Sequence, residues 1–375
     1  MNILQKLKYR HKRHQGWDVN AYIEYEQKMQ NDLTQPGINN DIKKWAHQRG
    51  FLANRVSRYG LTDDNWQDYL SEREFAWGFP YNNFKYSRWI DDKLTLYYTL
   101  IPFRQYMPDY FFLIDLEGRV FKLFDASEDV SADTEGILAT LKAKGHLAVK
   151  LYSGTEGAGF YHMVHTQDGT YKLNGKLLSE NELISFVDGL KNYLITEYLK
   201  PCPELAAIYP YTTNSLRVIA INLPGIEDPI AKGLIRFGCK ASKEVDNTSQ
   251  GSVFCFIDVT NGTYSDPQQD TPDGRRIHPE RHPDTGAPLT GEIPRWSEVK
   301  QLMLDICNYM PELEYMGFDI AVSETGIKLI EINSMPEMTD YQIAGPLKKD
   351  PWYGKLWQRA LARKHPHQPP SGVND

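Results

Sequence analysis

The sequence predicts a mixed chain of the α/β (α+β) class, with a mainly helical first hundred residues followed by antiparallel strands joined as hairpins. Three observations predict it. Residues 39–107 carry helical hydrophobic spacing and caps. After Pro108 the period drops to that of strands, with Leu116-Glu117-Gly118 reading as a hairpin turn. A last pair of apolar runs, 318–322 and 328–333, flanks Glu324-Thr325-Gly326.

Taken in order, helices are expected from Asp41 to Tyr59, from Asp63 to Phe75 behind a Thr62 cap, and from Ile90 to a stop before Pro108. Strands follow at Tyr110–Asp115, Arg119–Phe124, His146–Tyr152, Phe160–His165 and Thr170–Leu173. A helix from Ser179 to Lys191 and the strand Tyr193–Tyr198 close that stretch. Longer strands are expected at Leu216–Asn222, Ala231–Phe237 and Ser252–Val259, then a helix at Pro294–Met310 and the hairpin spanning Phe318–Asn333. A terminal helix, Pro351–Lys364, gives way to a Pro-rich tail with the composition of disorder. The expected division is 1–107, 108–200, 201–364 and the tail 365–375. The segment from Asp266 to Glu292, rich in Pro, Gly and Asp, reads as one long loop, functional or disordered.

Composition narrows the function. A chain of 375 residues with 41% hydrophobic and 24% charged residues can bury a substantial core. The net charge of -7 and the scattered basic residues argue against nucleic acid as partner. The four cysteines stand far apart with no CxxC pair, which excludes a zinc knuckle or a redox dithiol and suits a reducing cytoplasm. No apolar run reaches the roughly 18 residues of a membrane span, and no apolar signal segment is expected at the start. The basic amphipathic stretch with Lys6, Lys8, Arg10, Lys12 and Arg13 after Ile3, Leu4 and Leu7 has two readings. It is a solvated helix start, or a peripheral contact with anionic lipid at the inner face of the membrane.

The C-terminal hairpin carries the strongest chemical signal. A three-residue turn, Glu324-Thr325-Gly326, sets Asp319 opposite Glu331. Alternation then places Glu331 and Asn333 on one face and Ile330 and Ile332 on the other. Adjacent carboxylates repel unless a proton or cation intervenes, and hard oxygen donors suit Mg²⁺. Earlier in the chain, the strand bearing Lys150 runs into Ser153-Gly154-Thr155-Glu156-Gly157-Ala158-Gly159, where backbone N–H groups and a cation can meet phosphate oxygens. Phe160 and Tyr161 stand where a Walker loop needs Lys and Ser/Thr. The strand end Glu197-Tyr198-Leu199 can offer backbone groups to a base edge. Arg217, inside an apolar strand, needs an anion, and phosphate matches its fork. His278, Arg281, His282, Asn247, Ser249 and Ser334-Met335-Pro336 are candidate substrate contacts. Pro279 and Pro283 exclude the helix that a two-histidine zinc site would need.

In this order, Asp92-Lys93, AVKLYSGTEGAG, LITEYL, TTNSLRV, HPDTG, IPRW and GFDIAVSETGIKLIEINSMP resemble the ATP-grasp superfamily, and within it the sugar-transfer-associated ATP-grasp proteins, over roughly residues 80 to 340. The resemblance implies a nucleotide clamped between two antiparallel sheets. It implies Lys93 and Lys150 on ATP phosphates, with Ser153, Gly154, Gly157 and Gly159 in a mobile lid. Glu197, Tyr198 and Leu199 become the hinge at ribose and adenine, and Arg217, with Lys150, stabilises the transferred phosphoryl group. Asp319, Glu331 and Asn333 hold Mg²⁺, with Mn²⁺ an alternative ion. The helical start departs from the usual α/β substrate-binding layer. The implied activity is a carboxylate-amine ligase working through an acyl phosphate, with a small-molecule or glycan carboxylate and an amine as substrates. A kinase acting on a sugar or other small hydroxyl acceptor and a non-catalytic nucleotide-binding protein are the alternatives.

Overall fold

The computed structural model describes residues 3–152, 159–242, 245–271 and 276–364. The first part is helical: α1 (Ile3–His14), α2 (Val19–Thr34), α3 (Asn40–Arg49), α4 (Asn54–Tyr59), α5 (Glu72–Gly78), α6 (Phe84–Asp91) and α7 (Lys93–Thr99). Side-chain caps start most of these helices. Asp18, Asn39, Asn83 and Asp92 accept from first-turn N–H groups, and Ser71 with Glu74 forms a reciprocal capping box. The helix expected over 41–59 is two helices, because Gly50 adopts a left-handed φ of 89° and ends α3. The helix expected from Asp63 is instead a short 3₁₀ turn, Trp66–Asp68, followed by α5.

Among the described residues, fifteen strands and five further α-helices follow. The first group is β1 (Tyr110–Ile114), β2 (Val120–Lys122), α8 (Thr134–Lys144), β3 (His146–Leu151), β4 (Tyr161–His165), β5 (Tyr171–Leu173), β6 (Lys176–Leu178), α9 (Glu180–Asp188) and β7 (Tyr193–Glu197). The second is α10 (Pro203–Ala206), β8 (Leu216–Ile221), β9 (Ile230–Phe237), β10 (Val253–Ile257), β11 (Thr263–Asp270), β12 (Arg276–Ile277), β13 (Gly291–Glu292), α11 (Trp296–Tyr309), β14 (Tyr315–Ser323), β15 (Gly326–Asn333) and α12 (Tyr353–Lys364). Strands β11, β12 and β13 occupy part of the segment expected as one loop. The tail expected to be disordered lies outside the described residues.

All the strand pairings among the described residues are antiparallel. One sheet runs β2-β1-β7-β3-β4-β5-β6, and the other runs β12-β11-β10-β9-β8-β14-β15 with β13 beside β11. In the first, Leu147 and Val149 of β3 face α8 and α9, packing on Ile137, Leu141 and Leu183. Alternation therefore turns Ala148 and Lys150 to the opposite face.

The second sheet is covered on both faces, so β14 is buried throughout. Val218, Ala220, Phe318 and Ile320 pack with Val299, Met303 and Ile306 of α11. Ile219, Ile221 and Tyr315 point the other way, into a core shared with Leu356 and Trp357 of α12 and Tyr81. Arg217 and Asp319 are out of step with the α11-facing residues, so they share this second face.

Candidate nucleotide and phosphate site

A cavity of about 190 Å³ opens between the two sheets. Lys150 and Ala148 of β3 line it from one side, and Arg217, Arg236, Asp319, Ile330 and Glu331 from the other. Glu197, Tyr198 and Leu199 form its edge, and Lys93 at the first position of α7 reaches in from the helical part.

The hairpin β14–β15 pairs Asp319 with Glu331, but by a different route from the expected one. The turn holds two residues, Glu324 and Thr325, because Ser323 pairs with Gly326. A register shift between Asp319 and Ile320 then skips Ile330 and restores the alignment. The extra residue changes which side chains share a face. Leu329 and Ile332 are both buried in the core, whereas Ile330 lines the cavity beside Glu331, correcting the expected alternation. Asn333 pairs with Gly317, and its amide donates to Glu331 Oε1 at 3.3 Å.

Arg217 does not wait for an external anion. Its guanidinium grips Asp319 with two hydrogen bonds, Nε to Oδ1 at 2.5 Å and Nη2 to Oδ2 at 2.7 Å. The pairing follows from register, since Asp319 lies directly opposite Arg217 on β8. Arg236 adds a third bond to Asp319 Oδ1 at 3.2 Å while binding Ser215 Oγ at 2.6 Å. Burial alone would raise the Asp319 carboxyl pKa, but Arg217 and then Arg236 hold it well below the usual carboxylate range.

The lysines lie across the cavity. Lys93 Nζ pairs with Glu331 Oε2 at 3.3 Å. Burial first, and the neighbouring Lys93 ammonium second, bring Lys150 down to about 8, with Glu331 and Glu197 opposing them. Lys93, Lys150, Arg217 and Arg236 thus gather around Asp319 and Glu331, a cluster of cations that suits a polyanion, while Glu197 and Asp246 bring carboxylates to other parts of the lining. Asp319 and Glu331 are oxygen donors on paired strands beside those cations. That donor set fits Mg²⁺, which is bound through one or two carboxylates together with substrate phosphates.

At the cavity edge, Glu197 accepts from the Asp109 N–H at 3.2 Å and lies 3.7 Å from Lys328 Nζ. The Tyr198 ring stacks on His162, centroids 3.5 Å apart and planes within 4°. Leu199 is buried, and its carbonyl accepts from Thr213 Oγ1 at 3.2 Å. Of the expected lid, Ser153, Gly154 and Gly157 lie outside the described residues. Gly159 has φ +68°, and a Cβ there would meet Tyr193 Oη at 2.9 Å.

Other candidates separate from this cavity. His282 is buried, bonded to the Gly238 carbonyl at 2.7 Å and stacked on Tyr209, a packing role. His278 lies beside Gln268 and Asp266, and Arg281 donates to the Gly286 carbonyl. Asn247 does line the cavity. Arg236 is a member that sequence reasoning missed, although it carried the same signal as Arg217, an arginine flanked by apolar residues inside a strand.

Residues 73–347 match the family described as sugar-transfer associated ATP-grasp. No curated protein matches the chain by sequence. Among solved structures, the chain is similar to the ATP-grasp ligase PsnB complexed with a minimal precursor, at 14% identity and a TM-score of 0.40, covering 76% of this chain and 64% of that one. It is also similar to D-alanine–D-alanine ligase from Bacillus anthracis, at 16% identity and 0.38, covering 76% and 72%. A third is D-alanyl-alanine synthetase A from Vibrio cholerae O1 biovar eltor, at 13% and 0.40, covering 74% and 65%.

Proposed function

Because the chain belongs to the sugar-transfer associated ATP-grasp family, we propose that it is an ATP-dependent ligase that joins a carboxylate to an amine through an acyl phosphate. The observation that carries this reading is the convergence of Lys93, Lys150, Arg217 and Arg236 on Asp319 and Glu331 in one cavity between two antiparallel sheets.

Lys93 and Lys150 bind the ATP phosphates. Glu197 accepts from the nucleotide, and Tyr198 and Leu199 edge its base. A substrate carboxylate oxygen attacks the γ-phosphorus, the bond to the β-γ bridging oxygen breaks and ADP leaves. Arg217 and Arg236, with Lys150, offset the charge of the moving phosphoryl group. An amine then attacks the acyl carbon, loses a proton and expels phosphate. Asp319, Glu331 and Asn333 would hold Mg²⁺, which would neutralise phosphate charge when bound; Mn²⁺ is an alternative ion. No side chain of the protein needs to become covalently modified.

The family's description, sugar-transfer associated, supports a sugar-bearing compound as one substrate, and a cell-surface glycan or its precursor joined to an amino acid or amine is the form this reading takes. No helix among the described residues is long and apolar enough to cross a membrane. A cytoplasmic protein with the basic α1 resting on the inner membrane face is the reading its composition supports.

The test is product analysis with Mg-ATP and pooled carboxylates, amines and sugars. Free phosphate that appears only when acid and amine are both present is the expected result. ADP without free phosphate, beside a phosphorylated sugar, would replace the ligase with a kinase. Asp319→Asn and Glu331→Gln are each expected to lower turnover at least a hundredfold; unchanged turnover would remove the metal assignment.

A further inference from the structure

A second, larger cavity of about 650 Å³ lies between the helical part and the second sheet. It shares Lys93, Arg217, Arg236 and Glu331 with the nucleotide cavity, so the two meet at the cationic cluster. Its outer wall is built by α2, whose Ala21, Glu24, Tyr25 and Lys28 recur at helical spacing on one side of the helix. That wall lies largely outside the family match, which begins at residue 73.

The two ends of the cavity differ in charge. The inner end carries Lys93, Arg217 and Arg236, three cations facing two carboxylates, Glu331 on Lys93 and Asp319 on the two arginines. Toward α2 the carboxylates of Glu24, Glu72 and Glu337 surround a single ammonium, Lys28. Glu72 is engaged by Arg55 at 2.6 Å, and Glu24 by Lys28 at 3.2 Å. Glu337 makes no hydrogen bond or ion pair with the described residues. Burial would lower the Lys28 pKa, yet Glu337 first and Glu24 second raise it above the usual lysine value, which reports an acidic surplus. Between the ends lie apolar and aromatic walls: Phe79 and Phe84 meet edge to face at 5.3 Å, and Tyr25 and Phe75 stand nearby. Ring faces beside carboxylates form a setting that favours an organic ammonium over a neutral group.

We infer that this cavity is the acceptor chamber and that its occupant is an aminocarboxylate. The occupant presents its carboxylate to Lys93, Arg217 and Arg236 and a protonated amine to Glu337, with its body against the aromatic wall. An amino acid, a small peptide and an amino-uronic acid all share this chemistry. The inference rests on the ligase reading for the direction in which the carboxylate points, but it is a claim about binding.

It is therefore tested without turnover. The full chain, with the non-hydrolysable analogue AMPPNP and Mg²⁺, is dialysed to equilibrium against a defined mixture of amino acids, dipeptides and 2-amino-2-deoxyglucuronic acid, together with the N-acetyl and carboxamide form of each. Mass spectrometry reads what the protein side retains. The expected result is retention of at least one parent compound, with its N-acetyl and carboxamide forms held at least tenfold less. In Glu337→Gln the preference for the free amine falls at least fivefold, while the preference for the free carboxylate stays. Retained AMPPNP in the same cell reports that the variant is folded. Retention of nothing, equal retention of the N-acetyl forms, or an unchanged amine preference in Glu337→Gln would each overturn the inference. Failure of coupled phosphate release would overturn the ligase reading alone.

Discussion

Lys150 and Arg217 show how neighbours reset a side chain. Lys150, brought down to about 8 by burial and Lys93, is mostly protonated at pH 7 but loses its charge as the pH rises through about 8. Phosphate favours its charged form, so nucleotide binding at pH 8 should take up protons. Affinity should fall as pH rises through about 8. Calorimetry in buffers of differing ionisation enthalpy measures both, and Lys150→Arg should remove the dependence. Arg217 and Asp319 form a largely buried bidentate pair. Arg217→Met strands the carboxylate and should cost about 3 kcal/mol at pH 7, since removing one partner of a buried pair costs ~3–5 kcal/mol and Arg236 remains as partial compensation. The depressed Asp319 pKa contributes stability above the ordinary carboxyl value near 4, lost as pH falls below it. The gap between parent and variant, measured by guanidinium unfolding, should therefore narrow at pH 3. In the sequence, the need of Arg217 for an anion was legible. That Asp319, 102 positions away, supplies it was not, because cross-strand register is set by the whole sheet.

At the scale of elements, the bulge at Ile330 is the informative case. The opposition of Asp319 and Glu331 was legible from the hairpin, yet the turn is one residue shorter than expected and the bulge restores the difference. Turn length and bulge compensate, so the sequence pattern is the same for both geometries. The bulge also gives the cavity an apolar surface. Ile330→Ala should weaken nucleotide binding by ~2 kcal/mol, at ~0.8 kcal/mol for each buried methylene-sized group, about thirtyfold by calorimetry. Helix α8 escaped the sequence reading, whereas α9, with the capping box of Ser179 and Glu182, did not. Helix α1 exposes Leu4 at 76% and Leu7 at 58% beside Lys6, Arg10 and Arg13. Co-sedimentation with vesicles containing phosphatidylglycerol, but not with phosphatidylcholine alone, is expected, with loss at high salt and in Leu4→Asp/Leu7→Asp.

Across the whole molecule, the helical part is fastened to the second sheet by buried polar groups. The Asn82 amide donates to the carbonyls of Tyr315 at 2.6 Å and Ser334 at 2.8 Å, and its oxygen accepts from the N–H groups of Glu314 and Tyr315. Asn82→Leu leaves those groups unsatisfied and should cost at least ~3 kcal/mol, at ~1–3 kcal/mol for each stranded group, by denaturant unfolding. Tyr59 reaches the Thr339 carbonyl, and Leu70 N–H reaches Gln342. None of these distant partners was legible in the sequence, because a single polar side chain such as Asn82 or Gln342 carries no periodic signal. Helix α12 completes the same core, with Arg363 donating to the Tyr81 carbonyl and Lys364 to those of Gly16 and Phe79. Yet the family match ends at residue 347, before α12, and begins after α2. The stretch that kinship marks out is thus not a unit that could be excised. Cut at those borders, it would bare the apolar face that α12 covers, and mutations in the flanks would be selected together with the part they cover.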